Sequence, residues 1–307
     1  MSPNTANSAR KSIAIIGLGS IGGIVAGLLR ATDRHDVVAC VRHRIATLTV
    51  ERSEGPVEVP ITALTDPEQA EPVDWVLLCT KAQDTSASAG WLQRLCGANT
   101  RVASLQNGIG HAQRVRPFVG QAAVVPTIVY YNGERLAPDR VRYRRTGEHD
   151  FAVPDDADGR AFAGLLEGTS LVTSVTPDFK TLAWRKLLLN AAANPISALT
   201  IQRNHVFRRD DIRDLCHALL EETMRVARAD GAELPADEIE QAMGRLFSVP
   251  SDAGSSMYFD RLAGRPLEID AITGAVVAAG ERHGIATPLN RMLLTLARAA
   301  REVRIEE

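Results

Sequence analysis

The chain has 307 residues, of which 45% are apolar and 23% are charged, and its formal net charge is −2. This composition is that of an ordinary globular protein, and the length suffices for two domains with cores of their own. The nearly balanced charge gives no sign of a nucleic-acid or membrane partner.

The number and spacing of the cysteines and histidines argue against disulfides and metal sites. The four cysteines (positions 40, 79, 96 and 216) and the seven histidines are scattered, without a C-x-x-C pair or a histidine at metal-ligand spacing. We therefore predict reduced thiols, no metal site and a cytoplasmic location. The uncharged run 12–29 after Arg10 and Lys11 resembles a signal peptide, but the glycines that interrupt it have a better explanation.

The N-terminal region carries a phosphate-binding pattern. Residues 1–11 are polar and are predicted to form a disordered tail, followed by a strand over 12–16, a helix over about 20–30 and a strand over 36–41. Between the first strand and the helix, six residues fit G-x-G-x-x-G: Gly17, Leu18, Gly19, Ser20, Ile21 and Gly22. These glycines permit a tight turn, approach of a pyrophosphate to the backbone, and close helix–sheet packing. The pattern predicts a dinucleotide-binding domain.

The end of the second predicted strand bears on which dinucleotide binds. Asp36, about twenty residues after the glycine motif, would suit the ribose hydroxyls of NAD, but it begins that strand. The ribose lies at the strand's carboxyl end, where the chain reads Val41-Arg42-His43-Arg44. A guanidinium suits a 2′-phosphate, so Arg42 favours NADPH. The alternative, that Arg42 is plain surface charge, stays open.

Further along the chain, strand and helix patterns alternate and then give way to helices alone. Apolar runs at 73–79, 102–105 and 122–130 suit strands, and 88–95 suits a helix, which together favour a parallel, doubly wound sheet. After residue 176 the patterns predict helices, with three of them over 211–230, 268–284 and 289–302. Gly231 is a predicted C-cap. We predict an α/β domain over 12–178 and an all-helical domain over 179–307.

The first helix of the second domain carries a polar stripe. Lys186, Asn190 and Asn194 stand four residues apart, so their side chains share one helix face. Such a stripe is usually a solvated face. The rest of the segment is Leu, Ala and Ile, however, and a buried helix with a cation and two amides needs partners or a ligand for them. Pro195 favours a break in the helix at Asn194. Both interpretations of the stripe remain open at this point.

Further motifs follow the glycine motif in a characteristic order: C-T-K-A-Q at 79–83, L-Q-N-G-I-G at 105–110, W-R-K-L-x-x-N-x-x-x-N-P at 184–195, S-S-M-x-x-D at 255–260, G-R-x-x-E-I-D at 264–270 and T-P-x-N at 287–290. With them the chain resembles the ketopantoate reductase (2-dehydropantoate 2-reductase) family over nearly its whole length. The resemblance implies a Rossmann-type domain, a helical domain like the C-terminal one of 6-phosphogluconate dehydrogenase, and NADPH-dependent reduction of 2-dehydropantoate to pantoate, a step towards coenzyme A.

The resemblance also implies roles for individual residues. Lys186 would act on the ketone oxygen, and Glu268 would anchor the substrate hydroxyl and support the lysine. Four residues would hold substrate or cofactor groups: Asn107, Asn190, Asn194 and Ser256. Lys81, Asn107 and Glu268 would lie beside the cofactor. Independently of the family, negative charge grows on a carbonyl oxygen during hydride transfer, and an ammonium stabilises it. We expect desolvation to lower the lysine pKa and a nearby Glu to oppose that change.

Some alternatives stay open. Taken alone, Glu268 suits a helix surface and Ser256 a helix cap. The chain has Ala253 where the family often has Asn, and Tyr258 and Phe259 where it often has an aliphatic residue and Gln. These departures favour a related reductase of a different 2-oxo acid as the second hypothesis. A β-hydroxyacid dehydrogenase and a non-catalytic NADPH-sensing protein are more remote. The predicted ligand is a small-molecule 2-oxo acid. A homodimer is left open as the assembly.

Overall fold

The structure is a computed structural model that describes residues 9–301. Residues 1–8 of the predicted tail lie outside the described residues, and Arg10 donates a hydrogen bond from Nε to Asp36 Oδ1 at 2.7 Å. The chain divides into two compact units, Met1–Gln106 with His111–Pro177, and Asn107–Gly110 with Asp178–Glu307. The segment 107–110, which falls within the predicted first domain 12–178, belongs by its contacts to the second unit.

The first unit contains thirteen strands and four α-helices among its described residues. The strands are β1 Ser12–Ile16, β2 Asp36–Cys40, β3 Thr47–Glu51, β4 Val57–Pro60, β5 Thr62–Leu64, β6 Trp75–Leu78, β7 Arg101–Ser104, β8 Ala123–Pro126, β9 Ile128–Val129, β10 Asn132–Ala137, β11 Arg140–Arg144, β12 Phe151–Pro154 and β13 Thr173–Thr176. The helices are α1 Ser20–Ala31, α2 Ala89–Leu95, α3 His111–Val115 and α4 Ala157–Leu165.

Six of these strands form one parallel sheet in the order β5-β2-β1-β6-β7-β8. Counted along the chain, this order is 3-2-1-4-5-6, that of the dinucleotide-binding Rossmann fold. Alternate residues of β1 enter different apolar clusters, Ile13 and Ile15 in one and Ala14 and Ile16 in the other. Both faces of the sheet are therefore covered, as the continuous apolar runs predicted. The prediction of a doubly wound parallel sheet is confirmed.

A second sheet, β10-β11-β3-β4, was not predicted from the sequence. Helix α1 packs against it through glycines, because a Cβ added at Gly23 would lie 2.8 Å from Val141 Cγ1 and one at Gly27 would lie 2.4 Å from Val50 Cγ2. The glycines that interrupt the run 12–29 thus serve helix packing as well as the phosphate motif. A third sheet has the order β13-β12-β9, so the predicted strand 122–130 is two strands in different sheets.

The second unit contains six α-helices among its described residues: α5 Phe179–Thr200, α6 Asp210–Ala229, α7 Glu238–Ser248, α8 Ser256–Leu262, α9 Thr273–Arg282 and α10 Pro288–Arg301. Helix α6 ends as predicted at Gly231, whose φ is +91°. Ala232 N donates to Ala227 O at 2.9 Å and Gly231 N to Arg228 O at 3.0 Å, which is a Schellman motif.

Two predictions about these helices were wrong. Helix α5 continues through Pro195 to Thr200 instead of breaking at Asn194. Its surroundings fix it there, since Ala191, Ala192 and Ile196 are buried in the core of the unit. The helix predicted from residue 268 begins at Thr273. Residues 268–272 form turns instead, in which Glu268 O accepts the N–H groups of Ala271 and Ile272, both at 3.2 Å.

Within residues 9–301, no helix is both long enough and apolar enough to cross a membrane. The same residues contain no group of three or more His, Cys, Asp or Glu side chains arranged to hold a metal ion.

Candidate active site

The glycine motif lies at the point where the strand order of the parallel sheet reverses, between β1 and β6. Gly17 follows β1 with φ +91°, and its added Cβ would lie 3.0 Å from Thr80 Cγ2. A Cβ at Gly22 would lie only 2.0 Å from Gly17 O. Gly19, the N-cap of α1, faces open space, with nothing described within 4 Å of its added Cβ. The backbone before α1 is thus open to an anionic group, which helix N-termini favour.

Arg42 and Asp36 lie at opposite ends of β2. Asp36 is the first residue of that strand and is engaged by Arg10. Arg42 follows the last residue of the strand by two positions, is exposed, and has no hydrogen-bond or ion-pair partner among residues 9–301. A guanidinium without a protein partner at the carboxyl end of this strand suits a phosphate. An acidic residue there would instead bind a ribose hydroxyl.

Gln106, for which no role was predicted, organises the chain around Lys81. Its side chain is buried, and Nε2 donates to Thr80 O at 3.1 Å and to Thr85 Oγ1 at 3.0 Å. Arg114 Nη1 donates to Gln106 Oε1 at 3.2 Å. This carboxamide therefore holds the loop that follows β6. Its place next to Asn107 in the L-Q-N-G-I-G motif at 105–110 was the signal that the sequence offered.

Within the second unit, Asn107 joins Lys186 to Glu268. Lys186 Nζ donates to Asn107 Oδ1 at 3.2 Å, and Asn107 Nδ2 donates to Glu268 Oε2 at 3.1 Å. An ammonium can only donate and a carboxylate can only accept, so only this orientation of the amide satisfies both neighbours. Glu268 is 7% exposed, so the alternative that it is a helix-surface residue was wrong.

Gly108 allows this connection. Its φ is +90°, and an added Cβ would lie 2.1 Å from Ala271 O. The 107–110 segment therefore packs directly on the turns that follow Glu268. A side chain at residue 108 would push the two apart and with them Asn107.

Burial lowers the pKa of Lys186 from its ordinary value to about 8, and the negative charge of Glu268 opposes this change. The expectation that desolvation and a nearby Glu act in opposite directions on this lysine is confirmed. A lysine in this range changes charge close to neutral pH, so it can both stabilise an oxyanion and give up a proton.

Three further polar side chains of the predicted site lie in the second unit. Asn190 is half-buried and Asn194 is 5% exposed, and neither side chain forms a hydrogen bond to a described residue. Ser256 is exposed and is likewise without a side-chain partner among residues 9–301. The cap of α8 is Ser255, whose Oγ accepts from Tyr258 N at 3.1 Å. The alternative that Ser256 is the helix cap was therefore wrong.

The segment 287–290 has a structural task. Asn290 donates to Glu222 Oε1 from both its backbone N and Nδ2, each at 2.9 Å. Leu289 N donates to Glu222 Oε2 at 3.1 Å. A buried carboxylate of α6 thus satisfies amides at the beginning of α10.

Lys186, Asn107 and Glu268 are joined by hydrogen bonds in the second unit, and Asn190 and Asn194 lie on the same helix as the lysine. The glycine motif, Arg42 and Lys81 belong to the first unit. A Rossmann-type sheet with an open glycine turn, followed by helices that carry a partly desolvated lysine, defines a dinucleotide-dependent oxidoreductase.

Comparison with known proteins narrows this class. The sequence model of "Ketopantoate reductase PanE/ApbA" matches residues 13–156, and that of the C-terminal part of the same family matches 178–301. A 2-dehydropantoate 2-reductase of Caulobacter vibrioides is 40% identical over 292 residues, covering 94% of this chain and 99% of that protein. One from Mycobacterium tuberculosis is 40% identical over 290 residues, covering 94% and 97%.

A solved structure is also similar throughout. The dimeric ketopantoate reductase of Staphylococcus aureus superposes with a TM-score of 0.84 at 26% identity, over 95% of this chain and 99% of that one. The chain therefore belongs to the ketopantoate reductase PanE/ApbA family.

Proposed function

We propose that this chain reduces 2-dehydropantoate to pantoate with NADPH, the reaction for which its relatives in Caulobacter vibrioides and Mycobacterium tuberculosis are named. The observation that carries the proposal is the group Lys186–Asn107–Glu268, in which an amide fixes a partly desolvated ammonium beside a buried carboxylate. This arrangement suits a carbonyl whose oxygen gains negative charge during reduction.

Lys186 is proposed as the catalytic acid. NADPH, when bound, supplies the hydride that reduces the ketone carbon. The ammonium of Lys186 stabilises the growing charge on the ketone oxygen and gives that oxygen its proton. Glu268 keeps the lysine charged near neutral pH by opposing the effect of burial on its pKa, and it accepts the hydrogen bond of a substrate hydroxyl.

Asn190, Asn194 and Ser256 are proposed to hold the substrate. All three have side chains without a hydrogen-bond partner among the described residues. Amide and hydroxyl groups can donate to the carboxylate of a 2-oxo acid without placing another charge beside Lys186. A buried amide such as that of Asn194 costs free energy until it is paired, so a ligand that pairs it gains affinity.

The cofactor is proposed to be NADPH, and the residues present fit it. The turn Gly17–Gly22 leaves the backbone before α1 open to a pyrophosphate, and Arg42 offers an unpaired guanidinium to a 2′-phosphate. Leu18, Ser20 and Ile21 complete that turn. Lys81, Asn107 and Glu268 are proposed to contact the nicotinamide half.

A homodimer is proposed as the assembly. The similar structure from Staphylococcus aureus is described as dimeric, which supports the same state here. Sedimentation equilibrium of the purified chain tests this: a mass near twice 33.2 kDa supports the dimer, and the monomer mass excludes it.

A second candidate substrate is another 2-oxo acid. The rings of Tyr258 and Phe259 lie 5.2 Å apart, and the Arg203 guanidinium covers both at 5.8 and 6.0 Å. These bulky groups come directly after Ser256 and Met257, and Ala253 is too small to replace an amide. The cluster favours an acid that differs from 2-dehydropantoate at its branched end.

The test of the proposed function is NADPH oxidation with 2-dehydropantoate, with pantoate identified in the product by mass spectrometry. Formation of pantoate, and its loss in Lys186→Ala, supports the proposal. Oxidation with another 2-oxo acid but not with 2-dehydropantoate supports the second candidate. Tight NADPH binding without turnover of any 2-oxo acid would favour the non-catalytic alternative.

A further inference from the structure

A pair of hydroxyl groups connects helix α5 to the beginning of α8. Ser197 Oγ and Ser255 Oγ lie 2.6 Å apart. Ser197 is 1% exposed and lies three residues after Asn194 on the same helix. Ser255 is the N-cap of α8 and the neighbour of Ser256. The pair therefore spans the two elements that carry proposed substrate-binding residues of the second unit.

The surrounding bonds determine which hydroxyl donates. Ser197 Oγ donates to Asn194 O at 3.1 Å, which uses its proton. Ser255 Oγ already accepts the N–H of Tyr258 at 3.1 Å, so the proton of Ser255 is available for Ser197. The chain of bonds thus runs from Tyr258 N–H to Ser255, to Ser197 and to the carbonyl of Asn194. Each hydroxyl donates once and accepts once.

The loop before α8 is held from the same side. Asn204 N donates to Ala253 O and His205 N to Ser251 O, each at 2.8 Å. Asn204 Nδ2 also donates to Val249 O at 2.9 Å. The loop 249–254 is therefore fixed at its middle by the segment after α5, whereas its end at Ser255 is fixed by Ser197. Removal of the Ser197 hydroxyl would release that end alone.

We propose that Ser197 is a positioning residue that, through Ser255, sets the place of Ser256 relative to Asn194. Because Ser255 supplies both the cap and the bond to Ser197, the hydroxyl of Ser256 remains available to substrate. The inference rests on the proposed function, since it assigns Ser256 and Asn194 to the same substrate. Without the bond, Ser256 samples more positions and binds substrate less well, while Lys186 keeps its own partners.

The experiment compares Ser197→Ala with Thr200→Ala as the matched control. Thr200 is on the same helix and donates from Oγ1 to Ile196 O at 2.7 Å, but it makes no bond to α8. For Ser197→Ala we expect KM for the 2-oxo acid to rise about five- to tenfold, the loss of about one hydrogen bond. The value of kcat and the NADPH Kd should change less than about twofold, and Thr200→Ala should match the wild type. Ser197→Thr, which keeps a hydroxyl, should restore KM.

Amide hydrogen exchange gives a readout that does not depend on activity. Ser197→Ala should speed exchange at 256–259, the first turn of α8, because its cap is loosened, and Thr200→Ala should not. If the wild type reduces no 2-oxo acid, the proposed function fails while faster exchange still supports the link between the helices. A folded Ser197→Ala with unchanged KM and unchanged exchange overturns the inference.

A second variant covers the case in which Ser197→Ala does not fold. Ser255→Gly removes the partner hydroxyl at a half-buried position and keeps a residue that N-cap sites tolerate. It should raise KM and speed exchange at 256–259 in the same way. Wild-type values for both would overturn the inference.

Discussion

The charge of Lys186 depends on two neighbours with different effects. Burial lowers its pKa to about 8, Glu268 raises it, and Asn107 fixes the ammonium by accepting its hydrogen bond. If the proposed role is correct, removal of the lysine should affect the chemical step more than cofactor binding, because the charge it stabilises develops only during hydride transfer.

Lys186→Ala should therefore lower kcat by about 10²–10⁴-fold and leave the NADPH Kd nearly unchanged. Stopped-flow NADPH oxidation and fluorescence titration measure the two quantities. Lys180→Ala is the matched control on the same helix, since Lys180 donates to Asp230 O at 2.7 Å and is exposed. Turnover of Lys186→Ala at the wild-type rate would remove the lysine from the mechanism.

The pH dependence follows from the same pKa. The protonated lysine is the active form, so kcat/KM should fall as the pH rises through about 8. Glu268 raises the lysine pKa, so Glu268→Gln should move this decline to lower pH. A pH–rate profile of each protein measures the shift. A decline that stays in place, or moves to higher pH, contradicts the electrostatic role of Glu268.

Arg42 is the residue that we propose to bind the 2′-phosphate and thereby to favour NADPH over NADH. Arg42→Ala should raise the Kd of NADPH about ten- to hundredfold and leave that of NADH almost unchanged, because only the former carries a 2′-phosphate. Arg44→Ala is the control, as Arg44 is equally exposed and has no partner among the described residues. Equal effects of Arg42→Ala on both cofactors would reject the 2′-phosphate site.

At the scale of elements, the close packing of segment 107–110 on the turns after Glu268 determines where Asn107 lies. Gly108→Ala introduces a Cβ 2.1 Å from Ala271 O at a positive φ. We expect a loss of about 2–4 kcal/mol in the free energy of unfolding, together with a lower kcat because Asn107 moves.

Gly264→Ala separates the two causes. Gly264 also has a positive φ, +59°, but nothing described lies within 4 Å of its added Cβ. It should cost only about 1 kcal/mol, from backbone strain alone, and leave kcat unchanged. Denaturant unfolding and steady-state kinetics measure both variants. Equal losses in the free energy of unfolding would show that the contact with Ala271 does not contribute to the destabilisation.

Elements whose pattern is local were predicted well. The strand Ser12–Ile16 and the C-cap at Gly231 depend on nearest neighbours and glycine conformation, and both have the predicted bounds. The sheet β10-β11-β3-β4 was missed because its strands contain many charged and polar residues and because the parallel pairing of β11 with β3 joins segments far apart in sequence, although β3–β4 and β10–β11 are pairs of neighbouring strands. Pro195 illustrates the same limit, since burial of the surrounding helix overrides its local preference.

The candidate site shows a comparable division. The spacing of Lys186, Asn190 and Asn194 follows from helix geometry, and the opposing effects on the lysine pKa follow from residue chemistry. The bridging role of Asn107 could not be predicted, because its two partners are distant in sequence: Lys186 is 79 positions away and Glu268 is 161 positions away. The Ser197–Ser255 pair was missed for the same reason, as a single serine in an apolar helix carries no signal of its own.

For the molecule as a whole, the residues of the proposed function belong to both units, with the glycine turn and Arg42 in the first and Lys186, Asn107 and Glu268 in the second. The two sequence models of the ketopantoate reductase family, to which the chain belongs, match residues 13–156 and 178–301. The choice of 2-oxo acid is the part of the proposal that depends on Ala253, Tyr258 and Phe259.

A competition assay measures which 2-oxo acid the protein reduces preferentially. The protein is given NADPH and an equimolar mixture of 2-dehydropantoate and 2-oxo acids of other chain length and branching, and the reduced products are measured by mass spectrometry. Their initial proportions give the ratios of kcat/KM. We predict that pantoate predominates by at least about tenfold, the effect of one well-placed group of contacts. Predominance of another 2-hydroxy acid would exclude 2-dehydropantoate as the preferred substrate, and the absence of any reduced product would exclude the proposed reductase activity.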